Sequence, residues 1–90
     1  MIEVVVYSKP GCHLCDEVKA QLAKLQETYR FQCREVNILE DPGLVEKYRE
    51  KIPVVFVNGK KAFQYRLNEK EFARQMQILL IEERKSSDGS

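Results

Sequence analysis

Two cysteines separated by two residues are the part of this sequence whose chemistry is clearest. Cys12 and Cys15 enclose His13 and Leu14, and this Cys-x-x-Cys element follows the apolar run 2–7 and precedes a helical pattern. A junction between a strand and a helix can present one thiol to the unpaired amides of the helix N-terminus, which stabilise a thiolate. The spacing and its context therefore favour reversible thiol–disulfide chemistry.

Two other interpretations of the cysteine pair stay open when only the residues are considered. The pair could be structurally inert, or it could bind a metal ion. Zinc usually takes four protein ligands, and His13 lies inside the motif rather than in a second group of ligands. We therefore expect no metal site here. The third cysteine, Cys33, lies on a predicted strand, where it is expected to be a small buried apolar residue without a catalytic role.

The side chains around the pair allow both functional and plain interpretations. Lys9 is the nearest cation in sequence and could attract a thiolate at Cys12. His13 could tune the dithiol or simply be exposed at the start of the helix, and Leu14 could shape a substrate surface or belong to the core. Because Cys12 stands at the predicted helix start and Cys15 lies one turn inside, we expect Cys12 to be the more acidic thiol.

Length and charge limit the classes of function that remain. The chain has 90 residues, enough for one domain, and its 15 basic and 14 acidic residues leave a net charge of +1. This balance gives no electrostatic reason to expect nucleic acid as a partner. The longest apolar runs, 4–6 and 78–81, are far shorter than the roughly 18 residues of a membrane helix. The chain start lacks the pattern of a secretory signal, so we expect a cytoplasmic protein.

The hydrophobic pattern predicts an α/β domain at residues 1–83 and a flexible tail at 84–90. The run 2–7 has three consecutive valines, which is typical of a strand buried on both faces. Apolar residues then recur at helical spacing from Leu14 to Tyr29. Asn58-Gly59 predicts a hairpin. The predicted order is strand 2–7, helix 14–29, strand 31–39, short helix 42–51, strands 54–57 and 60–65, and a last helix capped by Asn68.

Two segments taken together resemble the signature regions of the glutaredoxin family. They are YSKPGCHLC at 7–15 and IPVVFVNGK at 52–60, and the similarity extends from residue 2 to about residue 81. The resemblance implies a thioredoxin-like α/β fold of the glutaredoxin type, with a four-stranded mixed sheet and three helices. It also implies a dithiol–disulfide oxidoreductase that acts in electron transport and cell redox homeostasis.

The resemblance assigns roles to individual residues. It implies that Cys12 attacks a substrate disulfide and that Cys15 resolves the mixed disulfide. It implies a cis peptide bond before Pro53, and a backbone at Ile52 that pairs with a bound peptide or with glutathione in the manner of a strand. The expected substrate-binding residues are Lys9, His13, Leu14, Ile52 and Pro53.

The partners that the resemblance implies are disulfides and thiols. We expect a monomer without a tightly bound cofactor, whose substrate is a disulfide-containing protein or a glutathione mixed disulfide. The electron source would be glutathione or a flavoprotein thioredoxin reductase. Gln64 and Tyr65 stand where glutathione-using members usually carry two glycines, which indicates a divergent subgroup with a Cys-His-Leu-Cys site. The rival classes are a non-catalytic module that binds a peptide or partner, and a metal-binding protein.

Overall fold

The sheet and helices follow the predicted order. The computed structural model describes residues 1–88, and within that range it shows four strands and three α-helices. The elements are β1 (Glu3–Ser8), α1 (His13–Leu25), β2 (Gln32–Asn37), α2 (Pro42–Tyr48), β3 (Val54–Val57), β4 (Lys60–Gln64) and α3 (Glu69–Asp88), with a short 3₁₀ helix at Ile38–Glu40. The strand order is β2-β1-β3-β4, with β1 parallel to β2 and antiparallel to β3. The predicted four-stranded mixed sheet is therefore confirmed.

The first strand carries the core because it lies between two other strands. Val4 and Val6 are fully buried on one face, where they pack with residues of α1 and α3. Val18 and Leu22 of α1 belong to the same cluster, as the helical spacing predicted. Helix α1 ends at Leu25, earlier than the predicted end, because the following turn bonds its amides back to the Leu25 carbonyl.

A second, smaller cluster lies beside the start of α1 and contains Cys15. Its other buried members come from the 3₁₀ helix, from the end of α2, from the segment before β3 and from the first residue of β3: Ile38, Tyr48, Ile52 and Val54. Tyr7 stacks on the ring of Tyr48 with 5.0 Å between their centroids, which closes this cluster from the β1 side. The second cysteine of the motif is thus held by tertiary packing as well as by its helix.

The second strand departs from the sequence-based prediction in two ways. It ends at Asn37, since the next residues form the 3₁₀ helix rather than a longer strand. Cys33 is exposed, so the prediction of a buried apolar cysteine is wrong. The physical reason is that β2 lies at the edge of the sheet, where most of its side chains are exposed.

The hairpin forms at the predicted turn and leads into the last helix. Asn58 and Gly59 both have positive φ angles, 49° and 83°, as a two-residue hairpin turn requires. Asn68 caps α3 through its side-chain oxygen, which accepts the Glu71 amide at 3.1 Å. Helix α3 continues to Asp88, inside the segment predicted as a tail, whereas residues 89–90 lie outside the described residues. Within residues 1–88, the helices are too short or too polar to cross a membrane.

Candidate redox site

The dithiol stands at the N-terminus of α1, with its first cysteine outside the helix and its second cysteine inside. Cys12 is the N-cap residue, and its Sγ accepts the backbone amide of Cys15 at 3.2 Å. Gly11, with a φ of 78°, turns the chain into this position from the end of β1. A thiolate at Cys12 would therefore receive an N–H hydrogen bond and the positive end of the helix dipole.

The two sulfurs differ sharply in their access to solvent. Cys12 is only partly buried, whereas Cys15 has 0% of its surface exposed. Their Cα atoms lie 5.2 Å apart and the sulfurs are bonded to each other, so the pair can adopt the oxidised form within this fold. Cys12 is therefore the more accessible of the two cysteines, and Cys15 lies in the packed interior.

The segment before β3 lies against the dithiol. Ile52 is in the same packed cluster as Cys12 and Cys15. The Ile52–Pro53 peptide bond is cis, as the family resemblance implied. Among residues 1–88, the backbone N–H and C=O of Ile52 make no hydrogen bond to another residue. The structure thus brings Cys12, Cys15 and Ile52 into one cluster, with Pro53 next along the chain. Ile52 is 7% exposed, and its backbone groups have no partner within the described residues.

The remaining predicted residues surround the dithiol on different sides. Lys9 is exposed and lines a polar cavity of about 420 Å³ beside the Pro10-Gly11 turn. His13 is exposed and makes no hydrogen bond or ion pair within the described residues. Leu14 is half-buried and lines a second cavity, on the opposite side of α1 from Lys9.

A hydrogen-bonded network that sequence reasoning missed anchors the polar side of the site. The buried Ser8 hydroxyl donates to Glu35 Oε2 at 2.6 Å, and Lys19 Nζ donates to the same oxygen at 2.8 Å. Hydrogen bonds from Lys19 and then Ser8 hold the pKa of Glu35 below its ordinary value of 4.5. The hydrogen bond to Glu35 raises the pKa of Lys19 above 10.5. These contacts join β1, β2 and α1 close to the redox motif.

Lys19 also affects the electrostatics of the first turn of α1. The carboxylate of Asp16, which opposes a thiolate by its charge, lies 3.4 Å from Lys19 Nζ. The cation therefore offsets part of the negative charge near Cys12. Glu35 lies on the edge strand β2, two residues after Cys33. Its place on a strand gives no indication in the sequence that it bonds to Ser8 and Lys19.

The side chains that could ligate a metal ion lie apart from one another in the described part of the chain. Within residues 1–88, no three side chains among His, Cys, Asp and Glu come together as they would around a metal. The cysteine pair and His13 therefore do not form part of a larger ligand cluster in the described chain.

The fold and the dithiol at the helix start define a thioredoxin-like protein. The structure resembles mitochondrial thioredoxin 3 from Saccharomyces cerevisiae in its oxidised form, with a TM-score of 0.62 and 16% identity over 84% of this chain and 76% of that one. It also resembles a thioredoxin mutant from Halobacterium salinarum, with a TM-score of 0.60 and 15% identity over 84% of this chain and 72% of that one. At these identities the similarity establishes the fold.

Within this fold, the chain belongs to the glutaredoxin-like domain family (DUF836), which it matches over residues 3–77. It is also 31% identical to protein Ne2328 from Nitrosomonas europaea, with a TM-score of 0.73 over 83% of this chain and 91% of that protein. The family resemblance noted in the sequence is confirmed, and a glutaredoxin-like fold that carries a Cys-x-x-Cys pair supports a redox role.

Proposed function

We propose that this protein is a dithiol–disulfide oxidoreductase that reduces disulfides or mixed disulfides through Cys12 and Cys15. The Cys12 thiolate attacks one sulfur of the substrate, a new S–S bond forms, and the other substrate sulfur leaves as a thiolate that takes up a proton. Cys15 then loses its proton and attacks the Cys12 sulfur. The second substrate sulfur leaves, so the substrate gains two electrons and the protein keeps the Cys12–Cys15 disulfide.

The observation that carries this proposal is the asymmetry of the two cysteines. Cys12 is accessible and its sulfur already accepts an N–H hydrogen bond, whereas Cys15 is fully buried directly behind it. This arrangement suits Cys12 for attack and Cys15 for resolution, because only Cys12 can meet a large substrate. A disulfide that only stabilised the fold would not need one accessible and one buried cysteine.

The free backbone of Ile52 supports a peptide-like substrate. A chain lying beside Ile52 could exchange backbone hydrogen bonds with it, and its half-cystine would then lie over Cys12 in the same cluster. Pro53 fixes the direction of this segment through its cis bond, and the exposed Lys9 and His13 and the half-buried Leu14 lie on other sides of the dithiol. In this proposal these residues orient the substrate, and the chemistry needs no bound cofactor.

Regeneration of the dithiol requires a thiol or reductase that supplies two electrons. Glutathione and a flavoprotein thioredoxin reductase are the two candidate donors, and a disulfide-containing protein or a glutathione mixed disulfide is the candidate substrate. We place the reaction in the cytoplasm and in a monomer, where it would serve electron transport and cell redox homeostasis. An NADPH-consumption assay that compares glutathione plus its reductase with thioredoxin reductase identifies the donor.

Trapping the mixed disulfide tests the two cysteine roles. In a Cys33→Ser background, which removes the exposed third thiol, the reduced Cys15→Ser protein should accumulate a mixed disulfide with a target that carries a disulfide. The Cys12 thiolate displaces one target sulfur as a thiol, and the other target sulfur stays on Cys12 as an added mass. Cys12→Ser should accumulate none, because its remaining thiol is buried. The opposite pattern would overturn the assigned roles. A wild-type protein that binds targets but cannot be cycled by either donor would show a binding module instead of an enzyme.

A further inference from the structure

The chain makes an unusual turn directly after β4, with Tyr65 at its centre. Tyr65 has a φ of 70°, and the Arg66 amide donates to the Gln64 carbonyl at 2.8 Å. A positive φ combined with a hydrogen bond between residues two apart is the signature of a γ-turn of the rare and strained kind. An aromatic L-residue is disfavoured in this region, where glycine would be free of strain.

Two further contacts hold Tyr65 in this conformation. Its backbone amide donates to the Pro53 carbonyl at 2.8 Å, and its hydroxyl donates to the Glu50 carbonyl at 3.1 Å. The two ends of the residue are thus fixed at positions 53 and 50, so the ring lies alongside the segment that contains Ile52. A strained residue persists where its surroundings determine it, and such residues cluster at binding sites.

The ring is nevertheless available to a ligand. Tyr65 is 43% exposed, and no described aromatic ring stacks on it. It lines a cavity of about 590 Å³ together with Arg66 and Leu67, and the opposite wall includes Leu14 from inside the Cys-x-x-Cys element. A chain bound at Ile52 with its sulfur on Cys12 would therefore have its flanking residues between Leu14 and Tyr65.

We propose that Tyr65 is a specificity-determining residue, whose ring forms the wall against which the chain flanking the reactive sulfur of a polypeptide disulfide packs. This inference rests on the proposed function and names its substrate class. The strained turn places the ring beside the segment that contains Ile52. Glutathione has one residue on each side of its sulfur, so it is too short to make the same contact along this wall.

An exchange equilibrium measures this contact without requiring turnover. The Cys15→Ser, Cys33→Ser protein is prepared with 2-mercaptoethanol bonded to Cys12. An added thiol attacks that bond, its own sulfur becomes attached to Cys12, and mercaptoethanol leaves as a thiol, so no net oxidation occurs. The exchange constant is measured by mass spectrometry for a blocked peptide of about nine residues with one central cysteine, and for glutathione.

Tyr65→Gly should lower the exchange constant for the peptide by roughly three- to tenfold, the range of an aromatic packing contact, and leave that for glutathione within about twofold. Glycine suits the positive φ, so this variant keeps the turn. Tyr65→Phe keeps the ring and should stay within about twofold of the parent for both thiols. An unchanged peptide constant in Tyr65→Gly, or an equal loss for peptide and glutathione, would overturn the proposal.

The same samples separate this inference from the proposed function. In one outcome the wild-type protein does not cycle with either donor, but Tyr65→Gly selectively weakens peptide exchange. The proposed enzymatic function is then wrong, and the role of the Tyr65 ring is supported. If the wild-type protein cycles and Tyr65→Gly exchanges the peptide as the parent does, the proposed function is supported and the role of Tyr65 is wrong. If no thiol can be attached to Cys12, both are wrong.

Discussion

Glu35→Gln should destabilise the protein by removing the charge at the centre of the polar network beside the redox motif. The substitution keeps the shape of the side chain and changes what Ser8 and Lys19 meet. In the native protein both groups donate to one carboxylate oxygen, at 2.6 and 2.8 Å. An amide oxygen can still accept from the Ser8 hydroxyl, but it cannot attract the ammonium group as a carboxylate does.

The size of this effect follows from burial. The side chains of Lys19 and Glu35 are 36% and 46% exposed, so solvent screens their attraction and the pair contributes only about 0.2 to 1 kcal/mol. The hydrogen bond from Ser8 is better shielded from solvent, because Ser8 is 1% exposed. Replacing its charged acceptor by a neutral one costs less than about 1 kcal/mol more. We therefore expect Glu35→Gln to lower the free energy of unfolding by about 1 kcal/mol at pH 7.

The pH dependence of this difference has a definite sign. The pKa of Glu35 is lowered on folding, so its contribution is complete above the ordinary value of 4.5 and is lost as the pH falls through the folded pKa. The pKa of Lys19 is raised on folding, so at the alkaline end the stabilisation is complete below 10.5 and is lost as the pH rises through the pKa of Lys19 in the folded protein. Wild type and Glu35→Gln should therefore differ most between these limits.

Urea unfolding at pH 7, 5, 4 and 3 tests this reasoning, with Glu40→Gln as the matched control. Glu40 lines the same cavity but has no hydrogen bond or ion pair through its side chain within the described residues. Its substitution should change the free energy of unfolding by less than about 0.5 kcal/mol. A Glu35→Gln difference that stays constant down to pH 3, or that equals the control, would refute the network as a source of stability.

Two further substitutions test the local structure around the site. Gly11→Ala should lower the free energy of unfolding, measured in urea, by about 1 to 2 kcal/mol, because an L-residue is disfavoured at a φ of 78°. An added Cβ would meet no atom within 4 Å, so this cost comes from the backbone alone. An unchanged midpoint would show that the turn tolerates alanine. Asn68→Ala should cost about 1 kcal/mol through loss of the cap on the Glu71 amide, whereas the exposed Gln77→Ala in the same helix should stay within about 0.5 kcal/mol; equal losses in both would count against the cap.

The sequence was sufficient to predict the elements that depend on strong local patterns. The valine run at 4–6 forms a strand between two others, and Asn58-Gly59 forms the hairpin turn through its two positive φ angles. These signals are local, since a buried strand needs apolar residues on both faces and a two-residue hairpin needs residues that accept positive φ. The Cys-x-x-Cys element at the helix start is local in the same sense.

Apart from the ends of α1 and α3, the errors and omissions concern residues whose surroundings depend on long-range packing of the strands. Cys33 has the alternation of a strand residue, but the alternation does not tell whether the strand lies at the edge or in the centre. Glu35 accepts a hydrogen bond from Ser8 only because β1 and β2 pair in parallel, in a register that brings these two residues close together. Tyr65 could be recognised as an unusual residue type, but its positive φ and its bonds to 50 and 53 depend on the long-range return of the chain beside Pro53.

The two flanks of the dithiol differ in how completely their polar groups are satisfied, and this difference bears on where the proposed substrate would bind. On the β2 flank, Glu35 already accepts two hydrogen bonds, so a ligand there would have to displace contacts that stabilise the fold. On the β4 flank, the Ile52 backbone is unpaired within the described residues and the Tyr65 ring is partly exposed. Under the proposed function, a peptide would gain contacts on this second flank without breaking the Glu35 network, so we expect it to approach from the β4 side.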